Sequence, residues 1–310
     1  MEKTLAEAST VTPLSSHSYM AEIPEEWCIG SVPHGGFTTA MFLKVTEAHF
    51  RGTLSSQNQP HTIALHLDFL RRTQTGKAFF TVKDTKLGRQ ASVINVTLTQ
   101  DNREEVVGYI TQGNMETESG ISFSTGYDLH PPVLPVDLTK LKNNGEDEHW
   151  ARQPDMPFAE FRKATTKTFF HFPKKGQAEK RLADEWVRLA NGENWTNSGI
   201  GYVCDMWPMP VESFLYDTDP YDVSKKGTID EPPSRSWYPT VLLNIDFKKV
   251  LPAEGVEWLF VRVAAKAIKN GRMDLEIIIM DAEGDIVALS HHVSLAVSAS
   301  RNIAQRGAKI

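Results

Sequence analysis

Cysteine is scarce in this sequence: Cys28 and Cys204 are the only two among 310 residues. Two cysteines cannot form a disulfide framework or a cysteine-based zinc site, so we expect two buried thiols in an intracellular protein. Positive charge is not in excess either, since the formal net charge is −6. The chain as a whole lacks the basic character of nucleic-acid-binding proteins, and we expect no nucleic acid partner.

Long apolar runs and common catalytic motifs are missing as well. No segment approaches the roughly 20 apolar residues of a membrane-spanning helix, and Met1-Glu2-Lys3-Thr4 does not begin a secretory leader, so no membrane span is expected. The sequence has no Gly-x-Ser-x-Gly elbow, phosphate-binding loop, dinucleotide fingerprint or metal-ligand cluster. Serine-hydrolase, NTPase and redox functions therefore lack support, and we predict neither a metal nor a cofactor.

The sequence contains an internal repeat, over residues 61–115 and 238–297. Each copy begins with an apolar strand, and the copies share an Asp-Phe pair and a Gly-Arg pair, namely Asp68-Phe69 with Asp246-Phe247 and Gly88-Arg89 with Gly271-Arg272. A repeat of this length indicates two copies of one domain, because a solenoid would need shorter and more numerous units.

Each copy is predicted to combine a helix with antiparallel strands, which makes the fold class α+β. Apolar residues recur at helical spacing from Thr38 to Phe50, and strands follow to about Met115. In the second copy we predict a strand at Phe169–Phe172, a short helix over 183–190 and the second central helix from Thr196 to Met209. The predicted domains are residues 14–118 and 158–300, with a mostly irregular connection at 119–157 and a tail at 301–310.

Three segments carry a resemblance to a known family. They are Pro33-His34-Gly35-Gly36-Phe37, Leu67-Asp68-Phe69-Leu70-Arg71 and Gly201-Tyr202-Val203-Cys204-Asp205. In order and spacing they resemble the acyl-CoA thioesterase II group of thioesterase-like proteins. The resemblance implies a double hotdog, in which two antiparallel sheets each wrap around a helix and an acyl thioester lies between the copies.

The resemblance also implies a catalytic set. In that family a water held by an Asp, a Thr and a Gln of the second copy attacks the thioester carbonyl. By position the Asp falls on Asp205 and the Thr on Thr240, whereas the Gln position falls on His292, where this chain departs from the family. Asp205 has Ala40 as its counterpart in the first copy, although a first-turn Asp can also be a purely structural cap.

The histidine pair His291-His292 leaves two assignments open. Successive residues of a strand point to opposite faces, so only one of the two can enter the site. A neutral imidazole there can orient a water as an amide does, or act as the base. The alternative is that both histidines are structural.

Other candidates would bind the substrate: His34, Gly35, Gly36, Trp207, Tyr238 and His291. The His-Gly-Gly turn can offer backbone N–H groups to a carbonyl or a phosphate, but such glycines more commonly let a helix approach a sheet closely. Trp207 and Tyr238 are the aromatic residues expected to face the cavity, and most other aromatic residues are expected in the core.

The function predicted from these residues is acyl-CoA thioester hydrolysis by an activated water. The alternatives are a hotdog enzyme of a specialised biosynthetic pathway, such as a dehydratase, isomerase or cyclisation catalyst, and a non-catalytic acyl- or polyketide-binding protein. The last three residues, Ala308-Lys309-Ile310, resemble a peroxisomal address read by an import receptor. They predict a peroxisomal location, with the cytoplasm as the alternative. Separately, the protein is expected to be a monomer or a homo-oligomer.

Overall fold

The structure is a computed structural model that describes residues 3–206, 209–216, 221–223 and 236–303. Trp207 and the segment Ala308-Lys309-Ile310 lie outside the described residues. Their roles in substrate binding and peroxisomal import therefore stay predictions. No helix in the described ranges is long and apolar enough to cross a membrane.

The described residues form short and long helices and many strands. The helices are α1 (Leu5–Ala8), α2 (Gly35–Arg51), α3 (Leu138–Asn144), α4 (Ile200–Val203), α5 (Glu212–Leu215) and α6 (Ser300–Ile303). The strands of the first half are β1 (Val11–Ser15), β2 (Ser18–Ile23), β3 (Cys28–Ile29), β4 (Val32–Pro33), β5 (His61–Phe69), β6 (Gly76–Lys86), β7 (Ser92–Gln100) and β8 (Arg103–Gly113). Those of the second half are β9 (Trp150–Arg152), β10 (Thr168–Pro173), β11 (Leu182–Leu189), β12 (Ser236–Trp237), β13 (Thr240–Phe247), β14 (Leu259–Ala264), β15 (Ile268–Lys269), β16 (Arg272–Met280), β17 (Ile286–Leu295) and β18 (Val297–Ser298).

One antiparallel sheet of fourteen strands runs through both halves, in the order β1-β2-β6-β7-β8-β5-β13-β17-β16-β14-β11-β10-β9, with β15 paired to β16. Counted outward from the β5–β13 junction, the two halves have matching strand orders. β5 corresponds to β13, β8 to β17 and β6 to β14. The repeat in the sequence is therefore a repeat in the fold.

The junction contains a local twofold axis. His66 lies opposite Asn244 where β5 pairs with β13. These two residues are 178 positions apart, the same offset as between Asp68 and Asp246. Equivalent residues therefore face each other, and His66 Nδ1 lies 2.7 Å from Asn244 Oδ1.

Helix α2 is the central helix of the first half. It begins after the N-cap His34 and buries apolar side chains on most of its surface, including Phe37, Met41 and Phe42. The Phe42 ring meets the Phe80 ring of β6 edge to face at 5.4 Å, an arrangement that aromatic rings favour. The predicted helix over Thr38–Phe50 is confirmed.

The second half differs from the prediction in two places. Residues 182–189 form strand β11 rather than a helix, because they pair with β10 on one side and β14 on the other and bury side chains on both faces of the sheet. The helix predicted from Thr196 to Met209 is represented by the four residues of α4. Pro208 and Pro210 in the sequence oppose its continuation, since proline lacks the N–H that a helix interior requires. The connection also contains α3 and β9, and β9 extends the sheet beside β10.

Candidate active site

The site lies where the N-terminus of α2 crosses α4. A Cβ on Gly36 would lie 2.6 Å from the Tyr202 carbonyl oxygen, and a Cβ on Gly201 would lie 3.0 Å from the Ala40 nitrogen. Each helix therefore has a glycine at the crossing, and the packing role predicted for Gly36 is consistent with this geometry. The close approach brings Asp205, which follows α4, to the first turn of α2.

Asp205 is fixed by donors from two other elements. The Gly36 N–H donates to Asp205 Oδ2 at 2.8 Å, and the Thr240 hydroxyl donates to Oδ1 at 2.8 Å. The side chain is only 6% exposed. Both of its oxygens are thus held in place by groups that favour the charged carboxylate.

Burial is the dominant influence on Asp205. Desolvation raises the pKa of this carboxyl above its usual range, while His292, the Thr240 hydroxyl and the Gly36 N–H oppose the rise. A carboxylate with a raised pKa is a stronger proton acceptor than an exposed one, provided that it stays ionised at the working pH. The two hydrogen bonds favour the ionised form.

His34 caps α2 through its side chain. Its Nδ1 accepts the N–H groups of Gly36 at 3.1 Å and Phe37 at 3.3 Å. Burial lowers the pKa of His34 to about 4, so the ring is neutral at pH 7. Because Nδ1 accepts, the ring proton lies on Nε2, which makes His34 a hydrogen-bond donor at this site.

His292 is buried beside the Asp205 carboxylate. Its Nε2 is 3.9 Å from Asp205 Oδ1, its side chain is 1% exposed, and neither ring nitrogen has a hydrogen-bond partner among the described residues. Burial lowers the pKa of His292, and the Asp205 charge opposes that lowering. The ring is therefore a neutral neighbour of Asp205.

A cavity of about 270 Å³ opens onto this group. Asp205, Thr240, His34, Gly35 and Tyr238 are all among its lining residues, so the structure brings these predicted residues together. Gly36 and His292 are not among them. His292 was expected to hold the attacking water, but it does not line the cavity. It approaches the site through Asp205.

His291 is not brought into the site. It is exposed on the opposite face of β17, beside His66 and Asn244 in a separate shallow groove. Strand alternation explains the outcome, because adjacent residues point to opposite faces. His291 does not line this cavity, and its substrate-binding role stays a prediction.

Some cavity residues gave no signal in the sequence. Phe161 and Arg162, from the segment that precedes β10, line the cavity, and Arg162 pairs with Glu212 of α5. These residues stand far apart in the chain and match no motif. A group with metal-ligand spacing was also missed: His17, His49 and Asp84 lie together away from this cavity.

Comparison with known proteins gives consistent matches along the chain. A model described as "Acyl-CoA thioesterase N-terminal domain" matches residues 23–113, and one described as "Acyl-CoA thioesterase C-terminal domain" matches residues 135–296. "Thioesterase-like protein TwmA" from Talaromyces wortmannii is 36% identical, and the match covers 97% of this chain and 94% of that protein.

Solved structures agree on the fold. An acyl-CoA thioesterase II, TesB2, from Mycobacterium marinum aligns with a TM-score of 0.61 at 15% identity over 95% of this chain and 97% of its own. A protein of unknown function with a hot dog fold from Alicyclobacillus acidocaldarius aligns with a TM-score of 0.72 at 13% identity over 96% and 99%. The predicted double-hotdog α+β fold is confirmed.

Proposed function

We propose, since this chain belongs to the acyl-CoA thioesterase family of double-hotdog proteins, that it hydrolyses an acyl-CoA thioester to a free acid and CoA. The observation that carries the proposal is the buried Asp205 carboxylate on the cavity wall, held by the Gly36 N–H and the Thr240 hydroxyl. A buried carboxylate is costly unless its charge is paired or used. The two histidines beside it, His34 and His292, have lowered pKa values, so neither ring pairs with it as a cation at pH 7.

In the proposed reaction Asp205 is the general base. It takes a proton from a water that attacks the thioester carbonyl carbon, and the carbonyl oxygen becomes an oxyanion. Collapse of the tetrahedral intermediate breaks the C–S bond and expels the CoA thiolate, which recovers the proton from Asp205. Thr240 orients the carboxylate, and no cofactor enters the balance.

Two groups at the start of α2 are suited to the oxyanion. The Gly35 N–H is at the first helical position, where it has no partner within the helix, and Gly35 lines the cavity. The His34 ring, neutral with its proton on Nε2, lines the same wall. Preorganised donors of this kind supply a large part of the stabilisation of acyl-transfer transition states.

His292 is assigned the role of a positioning residue. It lies 3.9 Å from Asp205 and does not line the cavity. In its protonated form, which is populated at lower pH, it attracts the Asp205 charge and so opposes the rise in the carboxyl pKa. A change at His292 should therefore act on the pH dependence of the reaction more than on substrate binding.

The function is tested by measuring thiol release from a panel of short to long acyl-CoA substrates, with Asp205→Asn prepared identically to measure background. The proposal expects stoichiometric thiol and free acid from at least one chain length, and only background release from the variant. Binding of acyl-CoA without release of thiol would overturn hydrolysis and favour an acyl-binding protein.

The water mechanism has its own test. In a single turnover in ¹⁸O-labelled water, attack by water puts the label into the product acid and leaves the Asp205 peptide unlabelled. An unlabelled acid from the first turnover, with label in that peptide, would instead show that Asp205 attacked the carbonyl directly.

A second candidate function has one observation in its favour. Asp205 is flanked by two buried neutral imidazoles, His34 and His292, each 3.9 Å from one of its oxygens. A histidine–aspartate set can also move a proton from carbon, as a dehydratase or isomerase of a biosynthetic pathway requires. The acyl-CoA panel separates this candidate, because a 3-hydroxyacyl-CoA would then lose water while its thioester stayed intact.

A further inference from the structure

A second cluster of ionisable side chains lies near the C-terminal end of α2, far from Asp205. His49 Nε2 is 2.9 Å from Asp84 Oδ1, and His17 Nε2 is 3.1 Å from Asp84 Oδ2. His49 is fully buried, Asp84 is 22% exposed and His17 is 40% exposed. Each of the two rings thus directs its Nε2 atom toward the Asp84 carboxylate.

The other nitrogen of each ring is also engaged. His49 Nδ1 is 3.0 Å from the Tyr19 hydroxyl, and His17 Nδ1 is 2.9 Å from Ser16 Oγ. A metal-bound histidine needs its second nitrogen protonated and donating to an oxygen, which fixes the ring and its tautomer. Tyr19 can accept from His49 while it donates to the Ser16 carbonyl 3.5 Å away.

The spacing of the donor atoms suits a small divalent cation. In a tetrahedral zinc site with bonds of about 2.0 Å, ligand atoms are about 3.3 Å apart. His49 Nε2 and His17 Nε2 lie 2.9 Å and 3.1 Å from the two different oxygens of Asp84, and one donor atom from each of the three residues lies within 4.8 Å of the others. The half-exposed His17 is in the turn between β1 and β2, so this side of the group is open to a water as a fourth ligand.

We propose that His17, His49 and Asp84 bind a Zn²⁺ ion. The ion would replace the protons now shared between the two rings and the carboxylate, so binding releases protons. It would join three elements: the β1–β2 turn, the last turn of α2 and the end of β6. His49 is thirteen residues beyond Gly36, roughly 20 Å along the helix, so the ion serves stability and takes no part in the thioester reaction.

The test uses the full chain after dialysis against EDTA, titrated with ZnCl₂ while heat release and the melting temperature are measured. The proposal expects one Zn²⁺ per chain and a rise in melting temperature. His17→Ala and Asp84→Asn should each weaken binding by more than about 100-fold, because they remove a ligand. Tyr19→Phe, which removes only the supporting hydroxyl, should weaken it by about 10–100-fold.

His66→Ala is the matched control, because His66 is another part-exposed histidine paired with a carboxylate, at 3.2 Å from Asp68. It should bind Zn²⁺ as the wild type does. Circular dichroism confirms that each variant is folded, and His17→Ala is the most informative because its side chain is already part-exposed. Absence of Zn²⁺ binding to the wild type, or binding unaffected by His17→Ala and Asp84→Asn, would overturn the proposal.

Discussion

The two halves of the molecule provide corresponding cavities, and among their lining residues only one cavity has an aspartate. The first, of about 270 Å³, is lined by Asp205 and Thr240. The second, of about 340 Å³, is lined by Thr62 and Gln112. Thr62 precedes Thr240 by the same 178-residue offset that relates His66 to Asn244, so the two threonines are counterparts.

The difference between the cavities arises at the helix crossing. Asp205 is four residues after Gly201, and Ala40 is four residues after Gly36. Ala40 is buried and offers no polar group, whereas Asp205 receives two hydrogen bonds. Duplication of the domain therefore supplies the cavity twice, but the proposed chemistry depends on one side chain and on the groups that hold it.

The largest effect short of replacing Asp205 itself is expected at Gly35. A Cβ at this position would lie 2.6 Å from Asp205 Oδ2 and 3.5 Å from Thr240 Oγ1. Gly35→Ala should therefore displace the carboxylate and lower kcat by about 100-fold, as misplacement of a catalytic group by about 1 Å can do. Steady-state thiol release measures the change, and an activity equal to that of the wild type would contradict the geometry.

The two threonines give a matched pair of variants. Thr240→Val removes a hydrogen bond to a charged group, which is worth about 1.5–3 kcal/mol, so kcat/KM should fall by roughly 10- to 100-fold. Thr62→Val makes the same change in the cavity that has no counterpart of Asp205 and should leave kcat/KM unaltered. Equal losses in the two variants would mean that the cavities do not differ as described.

A smaller effect is expected from His292→Gln. His292 opposes the rise in the Asp205 pKa, so its removal should raise that pKa further. Because the base must be ionised, the acidic limb of the profile of kcat/KM against pH should move to higher pH, while the rate above the limb changes little. A uniform loss of rate with an unmoved limb would indicate a purely structural role.

The two halves also differ in how they accommodate a polar residue at one equivalent strand position. Glu185 of β11 pairs with Val261 of β14, while the His17 carbonyl accepts the N–H of the equivalent Val82 in the first half. His17 contacts Asp84, but both Glu185 carboxylate oxygens are buried without a hydrogen-bond partner among the described residues. Burial raises the Glu185 pKa well above its usual value, and Asp184 adds to the rise.

A raised carboxyl pKa means that the folded state holds the proton more tightly than the unfolded state. The associated stability is present below the unfolded pKa and is lost as the pH rises through the folded pKa. Glu185→Met should therefore increase the free energy of unfolding at pH 8 by about 1–3 kcal/mol, with little gain at pH 4. Urea denaturation at the two pH values checks this, and an equal change at both would contradict it.

Local signals in the sequence were enough to predict much of this molecule. The periodicity of 38–50 predicted α2, and the Asp-Phe pairs identified β5 and β13 as counterparts. The family resemblance placed Asp205 beside Thr240, although their positions relative to the cavity needed the structure. Strand alternation predicted that only one of His291 and His292 enters the interior.

The remaining features depend on contacts between distant parts of the chain. The sequence predicted a helix where β11 lies and a longer helix where α4 lies. Both predictions were wrong because apolar residues in a short segment suit either a helix or a strand. Arg162 lines the cavity through tertiary packing alone. The group of His17, His49 and Asp84 comes from a turn, a helix and a strand, so its spacing in the sequence resembles no metal motif.

The most direct measurement is kcat/KM for Asp205→Asn and wild type with the best acyl-CoA substrate at pH 7, with Asp246→Asn as the matched control. Asp246 is an exposed aspartate paired with Lys248. Loss of a general base should reduce kcat/KM by about 10²- to 10⁴-fold in Asp205→Asn and leave Asp246→Asn unchanged. Activity of folded Asp205→Asn close to that of the wild type would contradict the assignment of Asp205 as the base.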